Sequence, residues 1–384
     1  MSLKILWITS DFPLSLNANR NLYLWHPLEA LQKIGVESIV LNTQTWKPFF
    51  TKSIDLEQFP VEIKNVRYLS IPRHYMRSFS NFSYIKTIVP VIKKLHQLHQ
   101  FDIIHAHGEI CGLAAVNASK KLNIPAVVTI HGIDMCPRAW KSNSGKMFRK
   151  MLGEANKIIY VGEPLQKHFS NIMKNNQHSC VIHNGFQLPT GSMTKKSFEK
   201  NKSIRIISVS NLHEGKGIDL TIQALALLKN QGIENWSYTI IGDGDQKKYL
   251  EKLVNQLRLD NQVIFKGNCP HDKVYANLEK SDIFCLPSYR EAFGIAYVEA
   301  MAHGLLTIGV KGQGAQAFIR DYKTGFLVRP QDINNLKMVL QVIITQCDNM
   351  REIASAGKEY VLSHFTWEKH AEKLLSAYHG KSVI

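Results

Sequence analysis

Short apolar runs rich in β-branched residues alternate with helix-patterned segments along almost the whole chain. KILWIT, SIVLN, VRYLSI, DIIHAH, AVVTIHG, KIIYVG and CVIHNG are the runs of the first half, each closing on polar residues or glycine. LYLWHPLEALQKIG and GLAAVNASKKLN, between them, carry the apolar spacing of helices. Strands separated by crossover helices pair in parallel. After Gly185 comes QLPTGSMTKKSFEKNKS, polar and without apolar period, which reads as a linker. RIISVS, YTIIGDG, VIFKG, IFCLPS, LTIGV and TGFLV then restart the alternation. A chain of 384 residues is in any case too long for one ordinary core. The expected class is α/β: two Rossmann-like, doubly wound parallel-sheet domains facing across a cleft. Residues 1–186 form the first domain, 187–203 the linker and 204–362 the second domain; 363–384 hold a last helix that packs back on the first.

The charge is uneven. Of a net +16, residues 1–186 supply +11, from 22 Lys and Arg against 11 Asp and Glu. From Ile63 through Phe101 there is no acidic residue. Lys64, Arg67, Arg73, Arg77, Lys86, Lys93 and Lys94 are instead interleaved there with Tyr68, Tyr75, Phe79, Phe82 and Tyr84. Such a face attracts polyanions, although an ordinary solvated basic face has the same composition. No zinc-finger, RRM or KH signature is present, so nucleic acid is not an expected partner. The six cysteines form no CxxC pair and read as reduced core residues, not as a disulfide framework or zinc site. No basic-apolar leader pattern precedes KILWITS, and no apolar run nears the roughly 18 residues of a membrane span, so a cytoplasmic chain is expected.

The densest chemistry lies in REAFGIAYVEAMAHG, residues 290–304. Glu291 belongs to the turn after the IFCLPS strand, and IAYVEAMAHG reads as a helix from Ile295 to a stop at Gly304. The amides around Phe293, Gly294, Ile295 and Ala296 then form the positive end of that helix, which suits phosphate. Glu291 ahead of it and Glu299 beyond it could grip hydroxyls on both sides of a diphosphate. Spacing alone favours the plainer reading, Glu299 as a surface residue and Glu291 as an ordinary helix N-terminal charge.

EAFGIAYVEAMAHG, with SDIFCLPS before it and GQGAQAFIRDYKTGFLV after it, resembles the E-x7-E donor signature of the family-4 retaining glycosyltransferases of GT-B fold. DIIHAHG, PAVVTIHGID, VIHNG, SNLHEGKGIDL, IIGDGD and VIFKGNCP follow in that family's order, so the resemblance covers nearly the whole chain. It implies that Glu291 binds hydroxyls of the transferred sugar and Glu299 the ribose of the nucleotide. It implies that amides near Phe293–Ala296 hold the diphosphate, that Lys216 neutralises the leaving nucleoside diphosphate, and that His131 faces the reacting sugar. Asn268 and Cys269 fall where the family contacts the base through its backbone. No Asp-x-Asp metal motif occurs in a plausible loop, so neither metal nor cofactor is expected, and the nucleotide-sugar is a substrate. The implied setting is cell-surface polysaccharide assembly, with a glycan or lipid-diphosphate acceptor and peripheral residence at the anionic inner face of the membrane.

The sequence also departs from the family. SNLHEGK places Asn211 and His213 where a second phosphate-binding arginine is usual, and His213 is one candidate to replace it. DFPLSLNANRN has Asn17, Ala18 and Asn19 where many relatives have Gly-Gly in a loop bordering the acceptor, and Gln316 stands where many have Glu. Gly242-Asp243-Gly244 and Gly312-x-Gly314-x-x-Ala317 imitate dinucleotide fingerprints, but neither occupies the first βα turn of its domain. His105 and His107 alternate on a strand without a carboxylate pattern and read as structural, and Gly112 reads as loop–helix packing. Two other classes remain: a sugar-nucleotide epimerase of the same fold, and a non-catalytic basic binding protein.

Overall fold

The computed structural model describes residues 2–16, 21–46, 58–70, 77–132, 142–173, 178–187, 203–346 and 349–380. The chain divides into two compact units, Met1–Gly185 with Trp367–Ile384, and Phe186–Thr366. Each is built on a wholly parallel sheet. Most of the proposed linker, together with Asn17, Ala18, Asn19, Arg73, Tyr75, Cys136 and Cys347, lies outside the described residues.

The first unit holds seven strands: β1 (Lys4–Thr9), β2 (Glu37–Thr45), β3 (Glu62–Tyr68), β4 (Ile103–His107), β5 (Ala126–Ile130), β6 (Lys157–Tyr160) and β7 (Ser179–Val181). Their order is β3-β2-β1-β4-β5-β6-β7, so the winding reverses between β1 and β4. The central strands are covered on both faces, which is why they read as continuous apolar runs. Helix Glu109–Leu122 packs so closely that a Cβ on Gly112 would meet Met151 Sδ at 2.9 Å and Val128 Cγ1 at 3.0 Å. Gly112 therefore lies in the first turn of this helix, packed against another helix and a strand, which corrects the loop–helix reading of it.

The second unit holds β8 (Ile204–Val209), β9 (Trp236–Ile241), β10 (Val263–Gly267), β11 (Ile283–Cys285), β12 (Leu306–Val310) and β13 (Phe326–Val328). The order β10-β9-β8-β11-β12-β13 places its reversal between β8 and β11. Asp282, buried at the start of β11, fastens these two strands. It accepts from the Arg205 backbone N–H at 2.9 Å and from Nε and one terminal nitrogen of the Arg205 guanidinium at 2.8–2.9 Å. The loops that leave β8 and β11 consequently start side by side.

The last helix, Trp367–Tyr378, belongs to the first unit, whereas helix Met350–His364 stays with the second. Trp367, Ala371, Leu374 and Ala377 join one apolar cluster with Trp7, Trp25, Leu28 and Leu31. Tyr378 Oη lies 2.6 Å from His105 Nδ1, and His370 Nδ1 lies 2.6 Å from the His183 carbonyl. At Gly185 a Cβ would stand 2.5 Å from the Trp367 backbone nitrogen. Gly185→Ala is therefore expected to push this helix off its seat at a cost of about 1–3 kcal/mol. A lowered melting temperature of the first unit checks this, and an unchanged melt would show that the contact yields freely.

Candidate active site

The site of the second unit is assembled at the β8/β11 reversal, where the carboxyl ends of an open parallel sheet bind ligands. Helix Ile295–Ala302 begins after Gly294, whose φ of 89° is a left-handed conformation that favours glycine. A Cβ there would stand 2.5 Å from the Tyr297 ring and 3.2 Å from Glu291 Cγ. The helix ends through Gly304, whose N–H donates to the Met301 carbonyl at 2.8 Å. The N–H groups of Gly294, Ile295 and Ala296 lie in the first turn, where a helix offers them no intrahelical acceptor, and form its positive pole.

A second loop clamps this turn from behind. The Gly314 N–H donates to the Glu291 carbonyl at 3.0 Å, and the Glu291 N–H donates to Gln313 Oε1 at 3.1 Å. Gly314 is backed against Phe293 so closely that a Cβ would lie 2.5 Å from its backbone. Gln316 Oε1 accepts from the Gly312 N–H at 2.6 Å, a loop-closing bond within the same segment. The Gly312–Ala317 fingerprint is thus a backbone clamp.

Lys216 arrives from β8. Its loop is tied to the β11 side by the Tyr289 N–H donating to the Gly215 carbonyl at 2.9 Å and by Ser288 Oγ donating to the same oxygen at 3.1 Å. Gly217, at φ 72°, lies where a Cβ would meet the Pro287 carbonyl oxygen at 2.3 Å. The ammonium of Lys216 then reaches Glu291 Oε2 at 2.8 Å, with both side chains mostly withdrawn from solvent. Two residues 75 positions apart are held as one half-buried ion pair.

Glu299 is 8% exposed and has two partners that spacing did not reveal. His271 Nε2 lies 3.0 Å from its Oε1, and Tyr275 Oη donates to the same oxygen at 3.4 Å. The hydrogen bond to Glu299 raises the His271 pKa above its ordinary value against the opposing effect of burial. Burial and the same carboxylate push the Tyr275 phenol upward. The signal was present as His-x-x-x-Tyr in PHDKVYANL, one helical turn apart on helix His271–Glu279.

The other donor-side candidates differ in standing. His213 Nδ1 lies 2.9 Å from Asp245 Oδ1 on an exposed edge, so its ring answers a carboxylate of its own unit. The two glycines beside Asp243 serve close backbone approach. A Cβ on Gly242 would fall 1.8 Å from the Ser210 carbonyl oxygen, and one on Gly244 2.3 Å from that of Leu212. This turn therefore braces the segment carrying Asn211. Asn268 is exposed and Cys269 half-buried just beyond β10.

In the first unit His131 follows β5, and its Nε2 lies 2.9 Å from His107 Nδ1. His107 stacks on Trp7 at 3.9 Å between centroids, and His105 is satisfied by Tyr378 and by Thr129 Oγ1 at 2.7 Å. These histidines form an aromatic column. Among the described residues no group of three or more His, Cys, Asp or Glu could hold a metal ion.

Comparison with known proteins decides the family. The family described as Glycosyltransferase Family 4 matches residues 22–188, and that described as Glycosyl transferases group 1 matches residues 192–360. WcaL of Escherichia coli, a glycosyltransferase assigned to colanic acid biosynthesis, is 31% identical over 72% of this chain and 70% of its own length. The chain belongs to glycosyltransferase family 4. TuaC of Bacillus subtilis, a glycosyltransferase assigned to teichuronic acid biosynthesis, is 25% identical over 98% of each chain. The sucrose-phosphate synthase of Thermosynechococcus elongatus superposes with a TM-score of 0.78 at 21% identity, over 98% of each chain. That likeness concerns the fold, which is GT-B. The glycosyltransferase thus carries Lys216, Glu291, Gly294–Ala296 and Glu299 together in one unit, and His131 in the other.

The histidine column gives the glycosyltransferase a pH signature. Burial lowers the pKa of His105, His107, His131 and His370, reaching about 3 for His131 and about 4 for His370. An unfolded chain protonates these rings near pH 6.5, so below that pH it binds more protons than the folded chain. Stability of the first unit must then fall with falling pH, by roughly 1 kcal/mol per pH unit for each fully buried ring. His271 in the second unit has the opposite sign: its raised pKa gives stability that is present at acid pH and lost as pH rises. Hydrogen exchange at pH 7 and pH 5 should show protection falling in the first unit but not in the second. Equal loss in both would contradict this assignment.

Proposed function

We propose that this glycosyltransferase is retaining and metal-independent, and moves a sugar from a nucleoside-diphosphate sugar to a glycan or lipid-linked acceptor in cell-surface polysaccharide synthesis. The Lys216–Glu291 pair beside the amino end of helix Ile295–Ala302 carries the reading. In the bound donor the ammonium of Lys216 faces the diphosphate, and the helix amides complete the anion cradle. Charge developing on the leaving phosphate is met by a fixed cation, which takes the place of a metal. Glu291 accepts from hydroxyls of the transferred sugar, while Glu299, steadied by His271 and Tyr275, accepts from the ribose. The acceptor hydroxyl attacks from the leaving-group face, and the departing phosphate takes its proton. His131 then stabilises the oxocarbenium-like sugar. The names of WcaL and TuaC support the polysaccharide setting.

Glu291→Gln and Lys216→Ala should each lower turnover at least about a hundredfold, roughly 3 kcal/mol of transition-state stabilisation. Glu299→Ala should chiefly raise the donor KM. Initial rates over a panel of UDP-, GDP- and ADP-sugars measure this. Near-wild-type transfer by either of the first two variants would move the site elsewhere.

The same reading places the protein at the inner membrane face. Among the described residues no helix is long and apolar enough to cross a membrane. Helix Arg77–His99 runs unbroken through Pro90 and exposes Phe79, Phe82, Lys86, Lys93, Lys94 and Leu98. Lys86 Nζ lies 5.4 Å from the centre of the Phe82 ring. Arg77 is not part of this face, because its guanidinium donates to Glu109 Oε2 at 3.2 Å. Each exposed lysine near an anionic surface contributes up to about 1 kcal/mol, weakened by salt. Replacing Phe82, Lys86, Lys93 and Lys94 with Ser should abolish salt-reversible co-sedimentation with anionic vesicles and leave donor binding intact. Equal sedimentation of the variant and the wild type would reduce the stretch to a solvated face.

A further inference from the structure

Among the described residues Glu299 meets its side-chain partners through one oxygen only. His271 Nε2 lies 3.0 Å and Tyr275 Oη 3.4 Å from Oε1. Tyr275 Oη stands just as far, 3.4 Å, from the Gln187 carbonyl oxygen, and one hydroxyl hydrogen serves one acceptor at a time. No described donor reaches Oε2, and His271 is the single ion-pair partner of this carboxylate among the described residues. Oε2 is thus the oxygen left for a ligand, while His271 answers the charge through the other.

His271 occupies an unfavourable place for a cation. It is the first residue of helix His271–Glu279, and the positive end of a helix opposes a charge of its own sign. The ring is nevertheless held toward protonation. The hydrogen bond and the charge of Glu299 raise its pKa, Asp272 on its own helix adds to this, and burial works against both. The other titratable groups around it are Tyr275, whose ring centre lies 4.4 Å from that of the imidazole, and His303, 4.8 Å beyond Tyr275. Burial and the carboxylate push the Tyr275 phenol upward, so it stays neutral. His303 Nδ1 turns away from the carboxylate, to the Glu299 carbonyl oxygen at 2.8 Å.

A nucleoside-diphosphate sugar brings two negative charges to a place that already holds two carboxylates. The ammonium of Lys216 is paired with Glu291 at 2.8 Å. Glu299, already only 8% exposed, loses its remaining water when a ribose hydroxyl docks on Oε2. Its charge then needs a cation close by, because an uncompensated carboxylate out of water is costly. We infer that His271 is a positioning residue that couples donor binding to a proton: the donor binds more tightly when this imidazole is protonated, and its binding draws a proton onto the ring. The inference rests on the proposed donor site and the ribose contact of Glu299. By linkage the two effects are equal in size. The ring is charged below its pKa, so donor affinity is highest on the acid side and declines as pH rises through the His271 titration.

Calorimetry on the full chain with UDP-, GDP- and ADP-sugars at pH 6 and pH 8.5 tests it. The phosphates of these donors stay fully ionised over that range, so a response belongs to the protein. The Kd of the donor that binds should rise about tenfold between the two pH values. In buffers of different ionisation enthalpy, the heat of binding near neutral pH should show net proton uptake. An NMR titration of the His271 ring should show its pKa higher with donor than without, by the logarithm of the same factor. His271→Gln keeps a hydrogen-bond donor for Glu299 but cannot titrate, so its Kd should lose the pH response and stay near the wild-type value at pH 8.5. A histidine that only braced the fold would leave that response in place. Should the variant fail to fold, the ring titration and proton uptake of the wild type decide. Donor affinity that ignores pH in the wild type, or a response that survives His271→Gln and vanishes in His213→Gln, would overturn the inference alone. A chain that binds no nucleotide-sugar at either pH sinks the donor reading beneath it as well.

Discussion

A half-buried ammonium and carboxylate 2.8 Å apart, Lys216 and Glu291, can coexist only if two loops are held rigidly at that separation. Burying either charge alone would be costly, and the pair is worth keeping only where geometry is fixed. The fixing begins in the sheet. Asp282 binds Arg205 through three hydrogen bonds, so β8 and β11 end in register and release their loops side by side. Glycine then lets backbone meet backbone: Gly217 against Pro287, Gly314 against Phe293, and Gly244 against Leu212. No side chain fits at these contacts. The loops around the pair are consequently stiff, as electrostatic preorganisation requires.

Much of this was legible in the sequence. The thirteen described strands each overlap one of the apolar runs, and the central ones do so because parallel strands covered on both faces need uninterrupted apolar residues. The helix from Ile295 and its stop at Gly304 followed from local chemistry, since both ends are set by glycines in left-handed conformations. What stayed hidden depends on pairing across the fold. Glu299 meets His271 across 28 positions, and Arg77 meets Glu109 across 32. Periodicity carries no information about such contacts. The glycines of Gly242-Asp243-Gly244 are a related case: their pattern imitates a phosphate loop, a reading the sequence already argued against, and the atoms they admit are carbonyl oxygens of the neighbouring segment.

The two units use the same topological device for different chemistry. In the second, the reversal between strands gathers a cation, two carboxylates and a helix amino end, a setting for a diphosphate flanked by hydroxyls. In the first, the reversal gathers neutral imidazoles and a self-compensated Arg–Glu pair. Burial is what keeps those imidazoles neutral, and it also makes the first unit the acid-sensitive one. Charged side chains thus gather at the reversal of the Phe186–Thr366 unit and neutral rings at that of the other.

The central claim is that the amino end of helix Ile295–Ala302, with Lys216 and Glu299 on either side, is a nucleoside-diphosphate site. A crystal structure of the protein soaked with UDP, GDP or ADP tests it most directly. The account predicts phosphate oxygens within hydrogen-bonding distance of the Gly294–Ala296 amides and of Lys216 Nζ, with the ribose hydroxyls on Glu299. A nucleotide bound with its phosphates on the Gly242–Gly244 turn, or held by His213 and away from this helix, would contradict it.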